Sequence, residues 1–337
     1  MDIKISAGLS SYENLLKRQT PGSSSTWKNN NFYINTKIKS CDYWIICHES
    51  GLLEEETVLC NPNNIIYISM EPNEDICRVN NLFLDQFSKV ITCDEKREIK
   101  NKILMNVSTW WVGMKMKSIN GLHVIDNDYT LDYDLLSNSQ AMSKLNRVSL
   151  IMSNKRNLKG HRERLIAIEK LMSRPISKYI DLYGSEFRKI DDKYHAIKPY
   201  KYHLIFENEI KSNYWTEKLG DAYLGLSFPI YSGCTNIAEF FDPKSMMEFN
   251  RFNVDDMERK IELALDSDYH EANFNKILES KNLILNKYNI FNIITDLCAE
   301  NSKGKKIPVT LLPNKYFSRT FSKKVYWKYK SIFEKLR

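Results

Sequence analysis

Short apolar runs alternate with amphipathic stretches over most of the chain. Eight runs of four to seven residues predict buried strands, at 2–6, 42–47, 64–69, 89–92, 147–153, 178–183, 202–206 and 228–232. They lack strict alternation of apolar and polar residues, as is typical of strands in parallel sheets covered by helices. Helical periodicity marks four segments, at 162–173, 216–226, 254–267 and 269–288. Strand, helix and strand, repeated in two halves, predict an α/β fold.

A polar stretch separates the two series of strands. Residues 125–145 are rich in Asp, Ser and Asn and have no sustained period, which is typical of a linker. The chain has 337 residues, of which 42% are apolar, and it can therefore form two ordinary cores. We predict an N-terminal domain over 1–144, a C-terminal domain over 145–300 and a tail over 301–337.

Positive charge is concentrated in that tail. The chain has a net charge of +7, but residues 301–337 hold eleven Lys and Arg against one acid. Residues 1–300 are therefore mildly acidic, which argues against a long groove that follows a nucleic acid backbone. From Phe321 onward, apolar residues fall on one helical face and lysines surround it, a pattern that suits an anionic membrane surface. The alternatives are a helix packed on the body of the protein, or a tail that binds nucleic acid or a partner protein.

The expectations about localisation and cofactors rest on sequence motifs that the chain lacks. No apolar run approaches the roughly 20 residues of a membrane span, and the first ten residues lack the apolar core of a signal peptide. We therefore expect a cytoplasmic protein, peripheral on the cytoplasmic face of the inner membrane if the tail binds lipid. Seven cysteines without a C-x-x-C pair predict free buried thiols. No G-x-G-x-x-G or P-loop pattern occurs, and no motif requires a metal.

Polar residues follow several of the predicted strands. They are His48 and Glu49, Glu71, Ser153 and Asn154, Gly184 and Ser185, and Glu207 and Asn208. Because open parallel sheets bind ligands beyond the carboxyl ends of their strands, these clusters are candidates for a functional site. The alternative is that the strands simply run out into polar loops.

Two predicted helices begin with positive charge. Thr216 has the position of a helix cap, so Glu217 and Lys218 occupy the first turn. A lysine there opposes the helix dipole at a cost of up to about 1 kcal/mol, unless an anion binds the helix amides. Arg162 lies in a basic cluster at the start of another helix, again where a diphosphate would bind. The alternative in both cases is a solvated cation.

The segment 200–249 resembles the signature of the alpha-1,3/1,4-fucosyltransferases, glycosyltransferase family 10. The matching residues are Phe206, Glu207, Asn208, Tyr214, Thr216, Glu217, Lys218, Pro229, Gly233, Pro243 and Ser245. Weaker likeness extends over most of residues 40–265. Glu209 departs from the family pattern, which usually has Ser at this position.

The resemblance implies a GT-B fold, in which two Rossmann-like domains face each other across a cleft and the second binds the nucleotide sugar. It implies that Arg162 and Lys218 contact the diphosphate of GDP-fucose and that Asn208 and Tyr214 complete the donor pocket. Glu217 would lie near the transferred sugar, and Glu71 would be the general base of an inverting reaction. The family's fold carries no obligatory metal, so no cofactor is expected.

The function that the resemblance implies is transfer of L-fucose from GDP-fucose to a glycan hydroxyl in alpha-1,3 linkage. The expected acceptor is the glycan of a surface polysaccharide or lipopolysaccharide, in a lipid-linked form. Two alternatives remain open at this point. One is the same fold with another nucleotide sugar, since Glu209 adds a carboxylate near the donor pocket. The other is a non-catalytic protein that binds nucleic acid or a partner through the basic tail.

Overall fold

The computed structural model describes residues 1–8, 12–70, 79–119, 122–152, 159–184, 186–299 and 304–317. These residues form sixteen strands: β1 (Asp2–Ser6), β2 (Thr26–Trp27), β3 (Asn30–Ile34), β4 (Tyr43–Cys47), β5 (Glu56–Cys60), β6 (Ile65–Ile68), β7 (Lys89–Thr92), β8 (Lys102–Leu104), β9 (Met114–Ile119), β10 (Leu122–Tyr129), β11 (Leu145–Ile151), β12 (Ile180–Tyr183), β13 (Tyr200–Phe206), β14 (Phe228–Ser232), β15 (Met247–Glu248) and β16 (Ile307–Leu311).

The same residues form ten α-helices, several of them a single turn. They are α1 (Tyr12–Lys17), α2 (Asn81–Leu84), α3 (Tyr133–Ser137), α4 (Lys159–Met172), α5 (Tyr194–Ile197), α6 (Glu217–Leu224), α7 (Val254–Asp266), α8 (Tyr269–Ala272), α9 (Phe274–Asn282) and α10 (Ile290–Cys298). A π-helical turn over Leu283–Lys287 continues α9. Within the described part of the chain, no helix combines the length and apolarity needed to cross a bilayer.

The chain divides into two units. Unit 1 contains the described residues of Met1–Glu13, Ser25–Val107 and Ile294–Arg337, and unit 2 contains those of Asn14–Ser24 and Ser108–Ile293. Each unit has its own buried apolar cluster. The chain therefore passes between the units more than once.

Unit 1 is built on a seven-stranded sheet with the order β2-β3-β1-β4-β6-β7-β8. Neighbouring strands are parallel except for β2 and β3. Every residue of β4 and β6 is buried, as expected for strands covered on both faces. A separate antiparallel ribbon joins β5 to β16.

Unit 2 is built on a five-stranded parallel sheet with the order β12-β11-β13-β14-β15. The chain leaves β11 to form β12 on one side and then returns to form β13 on the other. The carboxyl ends of β11 and β13 therefore border a topological switch point, where open α/β sheets bind their ligands. Helices α4, α6 and α7 contribute buried apolar residues to the core of this unit.

A buried arginine attaches the short segment 14–24 to unit 2. The Arg18 guanidinium is fully buried and donates to the carbonyl oxygens of Val112 (2.8 Å), Leu131 (2.9 Å) and Trp110 (2.8 Å). It also lies 3.9 Å from the centre of the Trp110 ring. Burial lowers the pKa of Arg18 to about 9. These bonds fix the loop 110–113 on which part of the candidate site depends.

The structure confirms the α/β class and contains a strand at each of the eight predicted runs. One helix prediction was wrong in part. The segment 269–288, predicted as a single helix, is broken at Asn273 into α8 and α9. The six described cysteines are free and buried, as expected. The arrangement of two domains facing each other across a cleft stays a prediction.

The two units differ from the predicted division at residue 144. Residues 108–144 lie in unit 2, since the polar stretch predicted as a linker contains the end of β10 and all of α3. The Tyr133 amide donates to the Arg18 carbonyl oxygen at 2.8 Å, and this bond ties α3 to the segment 14–24. Residues 304–317 of the predicted tail contain β16 and belong to unit 1. The amphipathic segment from Phe321 lies outside the described residues.

Candidate functional site

The candidate site lies at the carboxyl end of β13 in unit 2. Glu207 and Asn208 follow this strand directly, and α4 begins beside them. A Cβ atom on Gly160, in the first turn of α4, would stand 1.8 Å from the Asn208 carbonyl oxygen. Only glycine permits so close an approach, and the start of α4 is therefore fixed against the end of β13.

Glu207 organises the start of α6. Its side chain is fully buried, and its Oε1 accepts a hydrogen bond from the Thr216 amide at 2.8 Å. Its Oε2 accepts from the Thr216 hydroxyl at 2.7 Å and from the Lys218 Nζ at 3.3 Å. Thr216 is the N-cap of α6, and its Oγ1 in turn accepts from the Lys218 amide at 3.4 Å. One carboxylate thus fixes both the helix start and the first lysine of the helix.

A second buried arginine joins the ends of β13 and β14. Arg251 is 2% exposed, and its guanidinium donates to the Glu207 carbonyl oxygen and to the Ser232 carbonyl oxygen, both at 2.8 Å. Burial lowers the pKa of Arg251, although the Glu207 carboxylate opposes this effect. Gly233 completes the packing, because a Cβ atom there would stand 2.3 Å from Glu207 Cγ.

Two cations besides Arg251 stand near the Glu207 carboxylate. The Lys218 ammonium lies 3.3 Å from Glu207 Oε2 and 3.6 Å from Glu217 Oε1. Burial by itself favours the neutral amine, but the carboxylates of Glu217 and Glu207 raise the pKa of Lys218. Arg164 on α4 is 6% exposed and donates to Asn208 Oδ1 at 3.0 Å. Burial lowers the pKa of Arg164, and the charges of Glu207 and Glu217 oppose that effect.

Arg162 and Arg164 lie on different sides of α4. They are two positions apart, which corresponds to about 200° of rotation around a helix. Arg162 is exposed, whereas Arg164 faces Asn208. The diphosphate contact predicted for Arg162 stays a prediction. The hydrogen bond to Asn208 shows that Arg164 is an arginine of α4 that lies with the other site residues.

Glu217 is held between two ammonium groups. Its Oε1 lies 3.3 Å from the Lys193 Nζ and 3.6 Å from the Lys218 Nζ. Burial alone would raise the pKa of Glu217, but Lys218 and Lys193 outweigh it and lower that pKa to about 2. Glu217 is therefore a carboxylate at neutral pH, with a quarter of its side chain exposed.

Tyr214 and the loop before α6 complete the cluster. Tyr214 is 2% exposed and lies two residues before the N-cap of α6. The preceding residue, Asn213, has a positive φ of 56°. The Asn213 amide donates to Asn236 Oδ1 at 2.8 Å, and Asn236 Nδ2 donates to Asn213 Oδ1 at 2.9 Å. These bonds fix the loop against the segment that follows β14.

The structure thus brings four of the predicted residues together, namely Asn208, Tyr214, Glu217 and Lys218. Glu71 lies outside the described residues, so its predicted role as general base stays a prediction. Sequence reasoning missed Lys193, Asp221 and Arg251, and from the basic cluster at the start of α4 it singled out Arg162 rather than Arg164. One signal was present, since Asp221 falls among the apolar residues Leu219, Ala222 and Tyr223 on the buried side of α6.

This arrangement can bind an anion. Two cations and the first amides of α6 stand at the carboxyl edge of a parallel sheet beside its switch point, and a carboxylate lies next to them. Helix starts with cations beside them suit phosphate groups, and open α/β sheets commonly bind their ligands at this edge.

The comparisons with known proteins identify the family. The model of glycosyltransferase family 10 (fucosyltransferase), C-terminal part, matches residues 141–315, a little over half of the chain. The chain therefore belongs to glycosyltransferase family 10, as the resemblance indicated. The match covers the whole five-stranded sheet of unit 2 and all the site residues described above.

Two curated relatives match shorter stretches. A fucosyltransferase-like protein of Arabidopsis thaliana is 37% identical over 112 residues, which are 32% of this chain and 21% of that protein. The alpha-(1,3)-fucosyltransferase FucT of Helicobacter pylori is 38% identical over 63 residues, which are 19% of this chain and 13% of that protein. The chain thus matches about a fifth or less of the length of these relatives.

Among solved structures, a crystal structure of an alpha1,3-fucosyltransferase with GDP-fucose is similar to most of the chain. The alignment covers 91% of this chain and 92% of that one, with 17% sequence identity and a TM-score of 0.46.

Proposed function

We propose that this protein is an inverting fucosyltransferase that transfers L-fucose from GDP-fucose to a hydroxyl group of a glycan acceptor. Membership of family 10 supports the class of reaction. The geometry of one cluster supports the donor. Arg164 donates to Asn208 Oδ1 and Lys218 donates to Glu207 Oε2, so both cations approach the same end of β13 beside the start of α6. This cluster is the observation that carries the proposal.

In the proposed reaction, the leaving diphosphate is neutralised by side chains of the chain itself. The Lys218 ammonium turns from Glu217 towards the diphosphate, and the Arg164 guanidinium and the first amides of α6 supply further donors. Such preorganised donors stabilise the charge that develops on the leaving group. Arg162 is a further candidate for this contact, on the exposed side of α4.

The remaining roles concern the sugar and the acceptor. The bond between the anomeric carbon and the diphosphate oxygen breaks, a bond from the acceptor oxygen forms on the opposite face, and a carboxylate takes the acceptor proton. Glu71 is the proposed base. Glu217, ionised at neutral pH, is proposed to face the positive charge that develops on the transferred sugar. Asn208 and Tyr214 are proposed to line the donor site.

Thermal-shift measurements with GDP, UDP and CMP test the donor, because a ligand that binds the native state raises its stability. We expect GDP to raise the melting temperature most. A larger shift with UDP or CMP would contradict the GDP donor and favour another nucleotide sugar, for which Glu209 beside Asn208 is the departure from the family pattern. Salt-sensitive nucleic acid binding, without a shift from any nucleotide, would favour the non-catalytic alternative.

Turnover measurements test the residue roles. We expect Lys218→Ala and Glu71→Gln each to remove most transfer from GDP-fucose while circular dichroism shows an unchanged fold. Lys260→Ala, a substitution of a lysine on α7, serves as the matched control for the loss of one ammonium group. Wild-type rates in both site variants would reject these roles.

The acceptor and the membrane surface form a separate part of the proposal. We propose a lipid-linked acceptor glycan of a surface polysaccharide or lipopolysaccharide, reached from the cytoplasmic face of the inner membrane through the basic tail. Co-sedimentation with vesicles that contain anionic lipid should capture the full chain and lose it when residues 318–337 are removed. Equal capture of both proteins would contradict the role of the tail.

A further inference from the structure

Lys193 connects the candidate site to the interior of unit 2. Its Nζ lies 3.3 Å from Glu217 Oε1 and 3.5 Å from Asp221 Oδ2. The same ammonium group lies 5.6 Å from the centre of the Trp111 ring, within the range of a cation–π interaction. The Lys193 side chain is 22% exposed, so its charge is only partly solvated.

Asp221 gives this lysine a fixed counterion. Its carboxylate is fully buried one turn along α6 from Glu217. Its Oδ1 accepts hydrogen bonds from the amides of Trp111 at 2.7 Å and Val112 at 3.1 Å. Burial raises the pKa of Asp221, while the charge of Lys193 opposes that shift. The two amide hydrogen bonds fix the Asp221 carboxylate, and the ion pair with this carboxylate holds the Lys193 ammonium beside α6.

The backbone on either side of Lys193 is fixed by its neighbour. Asp192 is 1% exposed, and its Oδ1 accepts from the amides of Gly113 and Tyr194, both at 2.8 Å. Its Oδ2 accepts from the Thr130 hydroxyl at 3.0 Å. Two buried aspartates thus hold the same loop, one from α6 and one from the segment before α5, and Lys193 stands between them.

Among the described residues, the charges that face Glu217 come from three elements. Lys218 and Asp221 lie on α6, Arg164 on α4, and Lys193 before α5. In the described structure, Glu217 Oε1 is shared by the two ammonium groups. When a diphosphate draws Lys218 and Arg164 towards itself, Lys193 is the cation that still holds Glu217.

We propose that Lys193 is a positioning residue, which keeps Glu217 ionised and fixed in direction while Lys218 and Arg164 bind the diphosphate of the donor. This inference rests on the proposed function, since the diphosphate is its trigger. Its electrostatic part, the effect of Lys193 on Glu217, can be measured without any substrate.

The first test is a titration of the Glu217 carboxyl carbon by NMR, with carbon-13 glutamate labelling and Glu217→Gln to assign the signal. The wild-type signal should show an ionised carboxylate down to about pH 4, because an adjacent opposite charge lowers a carboxyl pKa by roughly one to three units. Lys193→Met should raise the pKa of Glu217 above its wild-type value, although Lys218 remains 3.6 Å from that carboxylate, and Lys193→Arg should behave as the wild type. Identical titrations in the wild type and Lys193→Met would overturn the inference.

The second test uses transfer from GDP-fucose. Lys193→Met should lower kcat by about tenfold or more, since it removes a charge-assisted contact to a carboxylate, and it should move the acid limb of the pH profile to higher pH. The KM for the donor should change little, and Lys193→Arg should restore both kcat and the pH profile. An unchanged kcat and pH profile in Lys193→Met would overturn the inference.

Lys198 offers a matched control, because it caps the other end of α5 and its ammonium lies 5.2 Å from the Tyr194 ring centre. Lys198→Met removes an equivalent cation–π contact and should leave kcat and the Glu217 titration at wild-type values. An equal effect of both methionine variants would overturn a specific role for Lys193. If the wild type transfers no fucose, the proposed function fails, and the titration still decides whether Lys193 controls Glu217.

Discussion

Replacing Glu207 with glutamine removes one charge at the centre of the candidate site and little volume. The Glu207 carboxylate is fully buried and accepts from the Thr216 amide, the Thr216 hydroxyl and the Lys218 ammonium. A glutamine keeps one acceptor oxygen and turns a nitrogen donor towards groups that themselves donate. The Lys218 ammonium then loses its nearest carboxylate and keeps only Glu217, at 3.6 Å.

The expected loss follows from the burial of the pair. Breaking a buried ion pair by removing one partner costs about 3–5 kcal/mol. Because Lys218 is 24% exposed and keeps Glu217 as a second partner, we expect the lower end, about 3 kcal/mol. In a chain unit of this size that corresponds to a fall in melting temperature of roughly 6–12 °C.

Urea unfolding and calorimetry of the wild type and Glu207→Gln measure this effect. Glu262→Gln is the matched control, since Glu262 is exposed on α7 and its substitution should change stability by no more than about 0.5 kcal/mol. GDP should also stabilise Glu207→Gln less than the wild type, because the start of α6 is no longer fixed. A variant as stable as the control would refute the conclusion that Glu207 organises the site.

Three further predictions concern packing and pH. Gly160→Ala should destabilise the protein and weaken GDP binding, because the new Cβ would stand 1.8 Å from the Asn208 carbonyl oxygen. Gly220→Ala in α6 places its Cβ 3.5 Å from the nearest neighbouring atom and should stabilise the protein by up to about 1 kcal/mol. Calorimetry of both variants tests this difference. Lys218 and Lys193 outweigh burial and lower the pKa of Glu217 to about 2. Ionised Glu217 should therefore stabilise the fold by about 3 kcal/mol above pH 4.5, and this stabilisation should be lost as the pH falls towards 2. If unfolding of Glu217→Gln has the same acid dependence as unfolding of the wild type, the prediction is contradicted. Burial lowers the pKa of His203 to about 3, so His203 should reduce the unfolding free energy by up to about 1.4 kcal/mol for each pH unit below pH 6.5. His203→Gln should remove this contribution, as measured by urea unfolding at a series of acid pH values.

Local patterns predicted the sheets of both units well. The predicted runs 42–47 and 64–69 contain the strands Tyr43–Cys47 and Ile65–Ile68, whose residues are all buried. Burial on both faces leaves a signal that can be seen in the sequence alone. The hairpin of β9 and β10 and the ribbon of β5 and β16 were not predicted. Their pairing depends on partners chosen by the tertiary fold, and β16 lies in a stretch whose basic composition indicated a tail.

The domain division was harder to predict because contacts decide it. The segment 14–24 belongs to unit 2 through the bonds of Arg18 to carbonyl oxygens about a hundred positions away. A polar composition over 125–145 indicated a linker, yet these residues include part of β10 and the helix α3. The amino-acid composition of a segment indicates whether its side chains are exposed. A domain boundary depends instead on which backbone groups are hydrogen-bonded, and to which part of the chain.

The candidate site was predictable where its residues are contiguous. Glu207, Asn208, Thr216, Glu217 and Lys218 lie within twelve positions and meet at one strand end and one helix start. Lys193 and Arg251 come from segments that gave no local signal, since their partners are set by the fold. The choice between Arg162 and Arg164 depended on the rotation of α4, which a basic cluster at a helix start does not specify.

The central claim is that Lys218 and Arg164 hold the diphosphate of a nucleotide at the start of α6. Isothermal titration calorimetry with GDP and with guanosine, on the wild type and on Lys218→Met, tests it most directly. We predict that GDP binds the wild type at least about tenfold more tightly than guanosine does, and that Lys218→Met removes most of this difference. Equal affinities of GDP and guanosine for the wild type, or an unchanged difference in Lys218→Met, would contradict the claim.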